Sequence, residues 1–192
     1  MSHNVYAPPL SDLDQQPSAA ASDHFYVVST RKMLIQYFLT LGVYQLYWYY
    51  RNWAQQRRAT GADVWPLPRA LFALFFTHSL FRRIGAHDAS GKRDAWDSGS
   101  YAAAMVFLLV TDYLLVWASR ASPILDGLSW FMLVPLALVM RQAQIEVNAR
   151  CGDPQGASND KFSAGNYAWC ALGGVLWLLV LVDYLLPGDG GW

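Results

Sequence analysis

Thr40-Leu41-Gly42-Val43-Tyr44-Gln45-Leu46-Tyr47-Trp48-Tyr49-Tyr50-Arg51-Asn52-Trp53 decides the reading of this chain. It closes an uncharged apolar run that starts at Met33, gathers Tyr and Trp at one end and finishes on an arginine. A helix leaving hydrocarbon for the headgroup layer carries that pattern. The run 33–50 has 18 residues and reaches about 27 Å at helical rise, enough to span with little tilt. Tyr44, Tyr47, Trp48, Tyr50, Arg51 and Trp53 are then interface anchors, and Gly42 a point of close helix packing or bending. Residues 51–58 continue as a surface helix, with Gly61 as its stop.

Outward from there, composition agrees. Of 192 residues, 54% are hydrophobic and only 15% charged, where a soluble domain is about a quarter charged. Glu146 is the single Glu, so these helices lack the Glu-rich wet faces of soluble ones. Basic and acidic residues cancel at fourteen each, and no net field steers nucleic acid to the chain. Cys151 and Cys170 make neither a disulfide framework nor a zinc site. No cofactor motif occurs: 85–93 misses the phosphate loop by one residue and by Arg93 in place of Ser or Thr, and no zinc-protease or nucleophile-elbow pattern is present.

Residues 1–24 are polar and Pro- and Ala-containing, the composition of a disordered tail without a signal-peptide core. The first apolar helix then acts as an uncleaved membrane signal. Phe25-Tyr26-Val27-Val28-Ser29 reads as a surface-lying lead-in. Residues 70–83 give a short apolar helix closed by Arg82-Arg83, too short to span comfortably and suited to a re-entrant or interfacial position. Three further spans follow at about 102–119, 124–140 and 167–187, with Pro135 as a kink and Gly173-Gly174 as a packing contact. The expected fold is an all-α, integral membrane helical bundle: one domain over 25–192, four transmembrane helices plus the short one. If 70–83 also spans, there are five.

In the four-span arrangement, eleven of the fourteen Arg and Lys lie in loops 51–101 and 141–166. The positive-inside rule then puts both termini outside. Arg31-Lys32 argues the other way.

The tail His3-Asn4-Val5-Tyr6-Ala7-Pro8-Pro9 is similar to the Asn-Pro-Tyr-x-x-Pro tails of small bacterial inner-membrane proteins, with Val5 in place of the usual Pro. The Thr40-Leu41-Gly42-Val43-Tyr44 run, the Tyr47-Trp48-Tyr49-Tyr50-Arg51-Asn52-Trp53 core and the later Asn159-Asp160-Lys161-Phe162-Ser163-Ala164-Gly165-Asn166 resemble a family of uncharacterised multipass proteins. That family is a domain of unknown function, sometimes labelled permease. The resemblance implies a bacterial inner (cytoplasmic) membrane location and brings no catalytic residue with it.

The chemistry-bearing signal is a pair. Thr111-Asp112-Tyr113-Leu114-Leu115 parallels Val182-Asp183-Tyr184-Leu185-Leu186. In the four-span arrangement both carboxylates sit at similar height, with Asp126 near the same mouth. A carboxylate at bilayer depth costs roughly 2.5–3.5 kcal/mol on insertion scales, so each needs a partner, a proton or water. They could bind a cation or polar group, relay protons, or simply hydrogen-bond near the interface. His78 lies inside the short apolar run and reads as headgroup-facing or backbone-bonded. His87, Asp88, Asp94 and Asp97 lack regular metal-ligand spacing and read as a solvated loop. The expected function is a non-enzymatic membrane protein, an accessory or scaffolding subunit. Its partners are the lipid bilayer and itself or another membrane protein. The alternative is a small transporter or channel built on Asp112 and Asp183.

Overall fold

The computed structural model describes residues 23–87 and 96–185. The expected tail, apart from its last two residues, lies outside the described residues, as do Asp88, Asp94 and the segment after 185. Helices α1 (Thr30–Leu39), α2 (Tyr44–Thr60), α3 (Pro66–Leu71), α4 (Ala73–Ala86), α5 (Ser98–Ala118), α6 (Pro123–Phe131), α7 (Leu133–Arg150) and α8 (Ala164–Leu185) follow in order. There is no strand among the described residues. Three stretches are long and apolar enough to cross a membrane: Ser98–Ala118, Ile124–Arg150 and Ala164–Asp183.

The stretch that decided the reading does not form one helix. The expected span 33–50 breaks at 40–43, where Leu41 and Gly42 take positive φ of 53° and 84°. Thr40 makes the break. Its hydroxyl donates to the Gln36 carbonyl at 2.7 Å and accepts the Tyr44 N–H at 3.0 Å, ending one helix and opening the next. Ten residues in α1 reach only about 15 Å.

Hydrogen bonds fix the direction of both arms. Tyr26 N–H bonds Asn52 Oδ1 at 3.2 Å, so the approach to α1 lies beside the middle of α2. Gly42 lies deeper, where a Cβ would stand 3.2 Å from Leu133 at the start of α7. The arms α1 and α2 therefore form a helical hairpin that enters the bundle and leaves it by one end. The short apolar helix expected over 70–83 is the end of α3 and most of α4. Helix α4, at 14 residues, spans about 21 Å.

The same end collects the rest of the polar structure. Arg150, 3% exposed, donates to the carbonyls of Gly85 at 2.9 Å and His87 at 3.3 Å. A cation thus caps the α4 C-terminus, where unpaired carbonyls concentrate negative potential. From this end α5 runs away, α6 and α7 return, and α8 runs away again. The return breaks at Met132 instead of kinking at Pro135 itself. Pro135 has no N–H for the Phe131 carbonyl, and its ring crowds that carbonyl, so the disruption falls one turn earlier.

The lead-in is not on the surface. Phe25, Tyr26 and Val28 are 1%, 4% and 0% exposed. Extended backbone leaves its peptide groups unpaired, and burying them requires partners. Gln144 and Asn148, one turn apart on α7, supply them. Gln144 Nε2 donates to Tyr26 O at 3.0 Å, and Asn148 bonds both the N–H and the carbonyl of Val28. Asn159 donates to Val27 O at 2.9 Å. Gly156, at φ +65°, presses on the strap from outside; a Cβ there would lie 2.5 Å from the Val28 carbonyl carbon.

Candidate functional site

The hairpin tip holds buried polar groups that the strap does not use. Gln36 and Tyr37 on α1 are 0% and 1% exposed. Neither amide atom of Gln36 has a hydrogen-bond partner. Tyr37 lies under Gly42, its hydroxyl 3.6 Å from where a Cβ would stand. Asp112 on α5 is close enough to act electrostatically on that phenol. Gln36, Tyr37 and Thr40 thus lie at or beside the non-helical turn, and Asp112 is half-buried on α5. Irregular backbone at such depth is tolerated where protein or a cavity surrounds it.

Two apolar grooves open beside the hairpin. One, of about 430 Å³, lies between α6 and α8 and is lined by Gly127, Trp130, Leu133, Trp177, Val180 and Leu181. The other, of about 290 Å³, has Tyr47, Tyr50, Leu67, Leu71 and Trp169 among its walls. Both follow from how little α8 packs. Among the described helices, only α1 neighbours α8 at backbone-contact distance. Gly173 makes that contact, since any Cβ there would overlap the Leu39 carbonyl. Trp177 Nε1 donates to Phe38 O at 3.0 Å, and its ring meets Trp130 at 6.2 Å. Gly174 has nothing within 4 Å of a Cβ. Gly173 therefore packs within the chain, whereas Gly174 faces open space.

Asp112 and Asp183 are not brought together. Their helices α5 and α8 make no backbone contact. Asp183 is exposed on the last turns of α8, while Asp112 is half-buried. Asp126 sits in the first turn of α6. Helices α5 and α8 run in the same direction, but a similar height does not bring the two carboxylates into contact.

Of the six expected interface anchors, three are core residues. Trp48 and Trp53 are 0% exposed and Tyr44 is 3%. The spacing 44, 48, 52 puts one face of α2 against the strap and α7, where Trp48 Nε1 donates to Gln144 Oε1. Trp53 receives the guanidinium of Arg69 at 4.5 Å on its ring. Arg51 stacks on Tyr26 at 4.7 Å and bonds the Tyr47 hydroxyl at 2.9 Å. Tyr50, 40% exposed, remains available to an interface. Aromatic clustering fits a headgroup belt and a packed core equally well, and only the break at 40–43 separates them.

Cys151 is fully buried, and Cys170 is partly so. His78 is exposed on α4. Of the His87, Asp88, Asp94 and Asp97 group, Asp88 and Asp94 lie outside the described residues. Asp97 caps α5 by accepting the Ser100 N–H at 3.0 Å. Among the described residues no three His, Cys, Asp or Glu side chains gather as a metal site.

Sequence reasoning missed Gln36, Asn52, Gln144 and Asn148. The available signal was their presence inside or at i+4 spacing along apolar runs, where an amide needs a buried partner. Compared with protein-family models, with curated proteins and with solved structures, the chain finds no match in any of the three.

Proposed function

We propose that the chain is a non-enzymatic integral membrane protein that serves as a docking subunit for another membrane protein or for a second copy of itself. It makes three crossings, α5, α6–α7 and α8, and the α1–α2 hairpin dips in and returns. The observation that carries this reading is the loose seating of α8, held by Gly173 and one indole hydrogen bond beside an open groove. Lipid tails or a partner helix fill such a seam, and small-residue contacts and apolar packing are what join helices in a bilayer.

Eleven of the twelve Arg and Lys in the described residues lie toward the hairpin's open end, and Arg120 alone at the other. A returning hairpin places Arg31 and Lys32 with the majority and removes their conflict with the positive-inside rule. That end faces the cytoplasm of a bacterial inner membrane in this reading, in line with the resemblance carried by the Tyr-Trp-Tyr-Tyr-Arg-Asn-Trp core. The test is Leu181→Trp, which fills the groove beside Trp130. Assembly size in mild detergent falls in the variant while membrane insertion persists. A wild-type protein that is already monomeric and alone, or an unchanged assembly in the variant, overturns the proposal.

A second reading rests on the buried polar groups at the hairpin tip. Gln36, Tyr37 and Asp112 could hold a polar solute or relay protons, giving a small transporter that uses Asp112 without Asp183. Asp112→Asn abolishes flux into liposomes if this reading is right; unchanged flux removes it.

A further inference from the structure

Helix α4 has two faces. Ala73, Thr77, Leu80, Phe81 and Ile84 are buried. Phe75, His78, Ser79 and Arg82 follow at i, i+3, i+4 and i+7, which aligns their side chains in one row. With Ser98 and Gly99 at the start of α5, this row lines a pocket of about 390 Å³.

Packing sets the depth of the row. Gly85 lies against Ser98, whose side chain would be 3.3 Å from a Cβ on that glycine. Arg82 therefore stands within a turn of where the apolar helix α5 begins. Phe75, 74% exposed, lies two turns further along α4, next to exposed Phe72 and Leu71. Along one row the surface changes from aromatic hydrocarbon, through imidazole and hydroxyl, to guanidinium. No carboxylate pairs with Arg82 among the described residues. Asp97, the acid beside Ser98, is turned to the Ser100 N–H of its own helix.

We propose that this pocket binds the phosphodiester headgroup of an anionic phospholipid, with an acyl chain laid along Phe75 and Phe72. Arginine offers a fork of donors that matches two phosphate oxygens, and Ser79 and Ser98 add hydroxyl donors. Free phosphate shares the headgroup chemistry but leaves Phe75 and Phe72 uncovered. Anionic lipid attracts basic segments at the cytoplasmic leaflet, the leaflet toward which this end points. The site rests on the membrane placement proposed above.

The test titrates short-chain phosphatidylglycerol onto the full chain in mild detergent, read by native mass spectrometry. Arg82→Gln weakens binding about tenfold, the equivalent of one charge-assisted contact. Ser79→Asp, which places a carboxylate in the pocket, weakens it comparably. Arg58→Gln, at an exposed arginine on the last turn of α2, leaves it within about twofold, as expected of a distant surface charge. Equal loss in Arg58→Gln, equal affinity for phosphatidylcholine, or displacement by inorganic phosphate at the concentration of the lipid each overturns the proposal. Cell fractionation separates the two levels. Wild-type protein recovered without detergent refutes the membrane placement, whereas membrane-bound Arg82→Gln with wild-type lipid affinity refutes the lipid site alone.

Discussion

Asn148 closes a two-bond ring on Val28, donating Nδ2 to its carbonyl at 2.9 Å and accepting its N–H on Oδ1 at 3.3 Å. One amide side chain thus does for the strap what a neighbouring strand does in a sheet. Asn148→Leu leaves both peptide groups buried and unpaired. The expected loss is about 2–5 kcal/mol, from one to a few kcal/mol per orphaned group. Thermal unfolding in detergent measures it, and proteolysis near 25–29 reports whether the strap lifts.

Gly156 and Gly61 have nearly the same φ, 65° and 66°, but opposite surroundings. Val28 backbone crowds Gly156, and nothing lies within 4 Å of Gly61. Gly61→Ala therefore costs only the left-handed backbone strain, about 1–2 kcal/mol. Gly156→Ala costs clearly more, because the strap must also move. Equal melting temperatures for the two variants would show that the strap is not pressed on that turn.

Gly173 and Gly174 are adjacent yet unequal. Gly173→Ala pushes α8 off the Leu39 carbonyl, while Gly174→Ala meets open space. A disulfide engineered between α1 and α8 forms efficiently in Gly174→Ala and poorly in Gly173→Ala. Partner co-purification is expected to follow the same order.

The hairpin has a direct readout. Arg31→Cys and Ala59→Cys flank it at exposed positions, and both react with a membrane-impermeant thiol reagent from the same side. Arg120→Cys reacts from the opposite side. Labelling of Arg31→Cys and Ala59→Cys from different sides would restore a crossing at 33–50.

Asp153 gives the loop after α7 a pH limit. Burial raises its carboxyl, but hydrogen bonds from Ser158, Ala157 and Gly156 outweigh that and hold it below the ordinary carboxylate range. Its oxygens accept the Ala157 and Ser158 N–H groups at 2.9 and 2.8 Å. The folded loop favours the ionised form. Its contribution is complete above the unfolded value of about 3.9 and fades as pH falls through the lower folded value. Hydrogen exchange at the Ala157 and Ser158 amides follows this loss, and in Asp153→Asn that step is absent.

Much of the apolar architecture was legible from residue types. The runs behind α5, α6–α7 and α8 are long, nearly uncharged and bounded by Pro, Gly or Arg, and they are helices of membrane-spanning length. What misled was 33–50. Hydropathy adds residues without asking whether the backbone continues between them, and the break depends on Thr40 reaching Gln36 and Tyr44 at once. A lone Gly42 in a helix interior is common enough to be read as packing. The burial of 25–29 was also invisible, because its partners Gln144, Asn148 and Asn159 lie more than a hundred residues away. For the Asp pair, short sequence similarity suggested a shared site, but α5 and α8 do not pack on each other, and so brief a match carries no information about that.

Among the described residues, the earliest stretch long and apolar enough to cross a membrane is Ser98–Ala118. The strap, hairpin and α4 are synthesised before that anchor exists, while α7, whose Gln144 and Asn148 hold the strap, follows it. The strap therefore gains its hydrogen-bond partners only once Gln144 and Asn148, more than a hundred residues later in the chain, have been made.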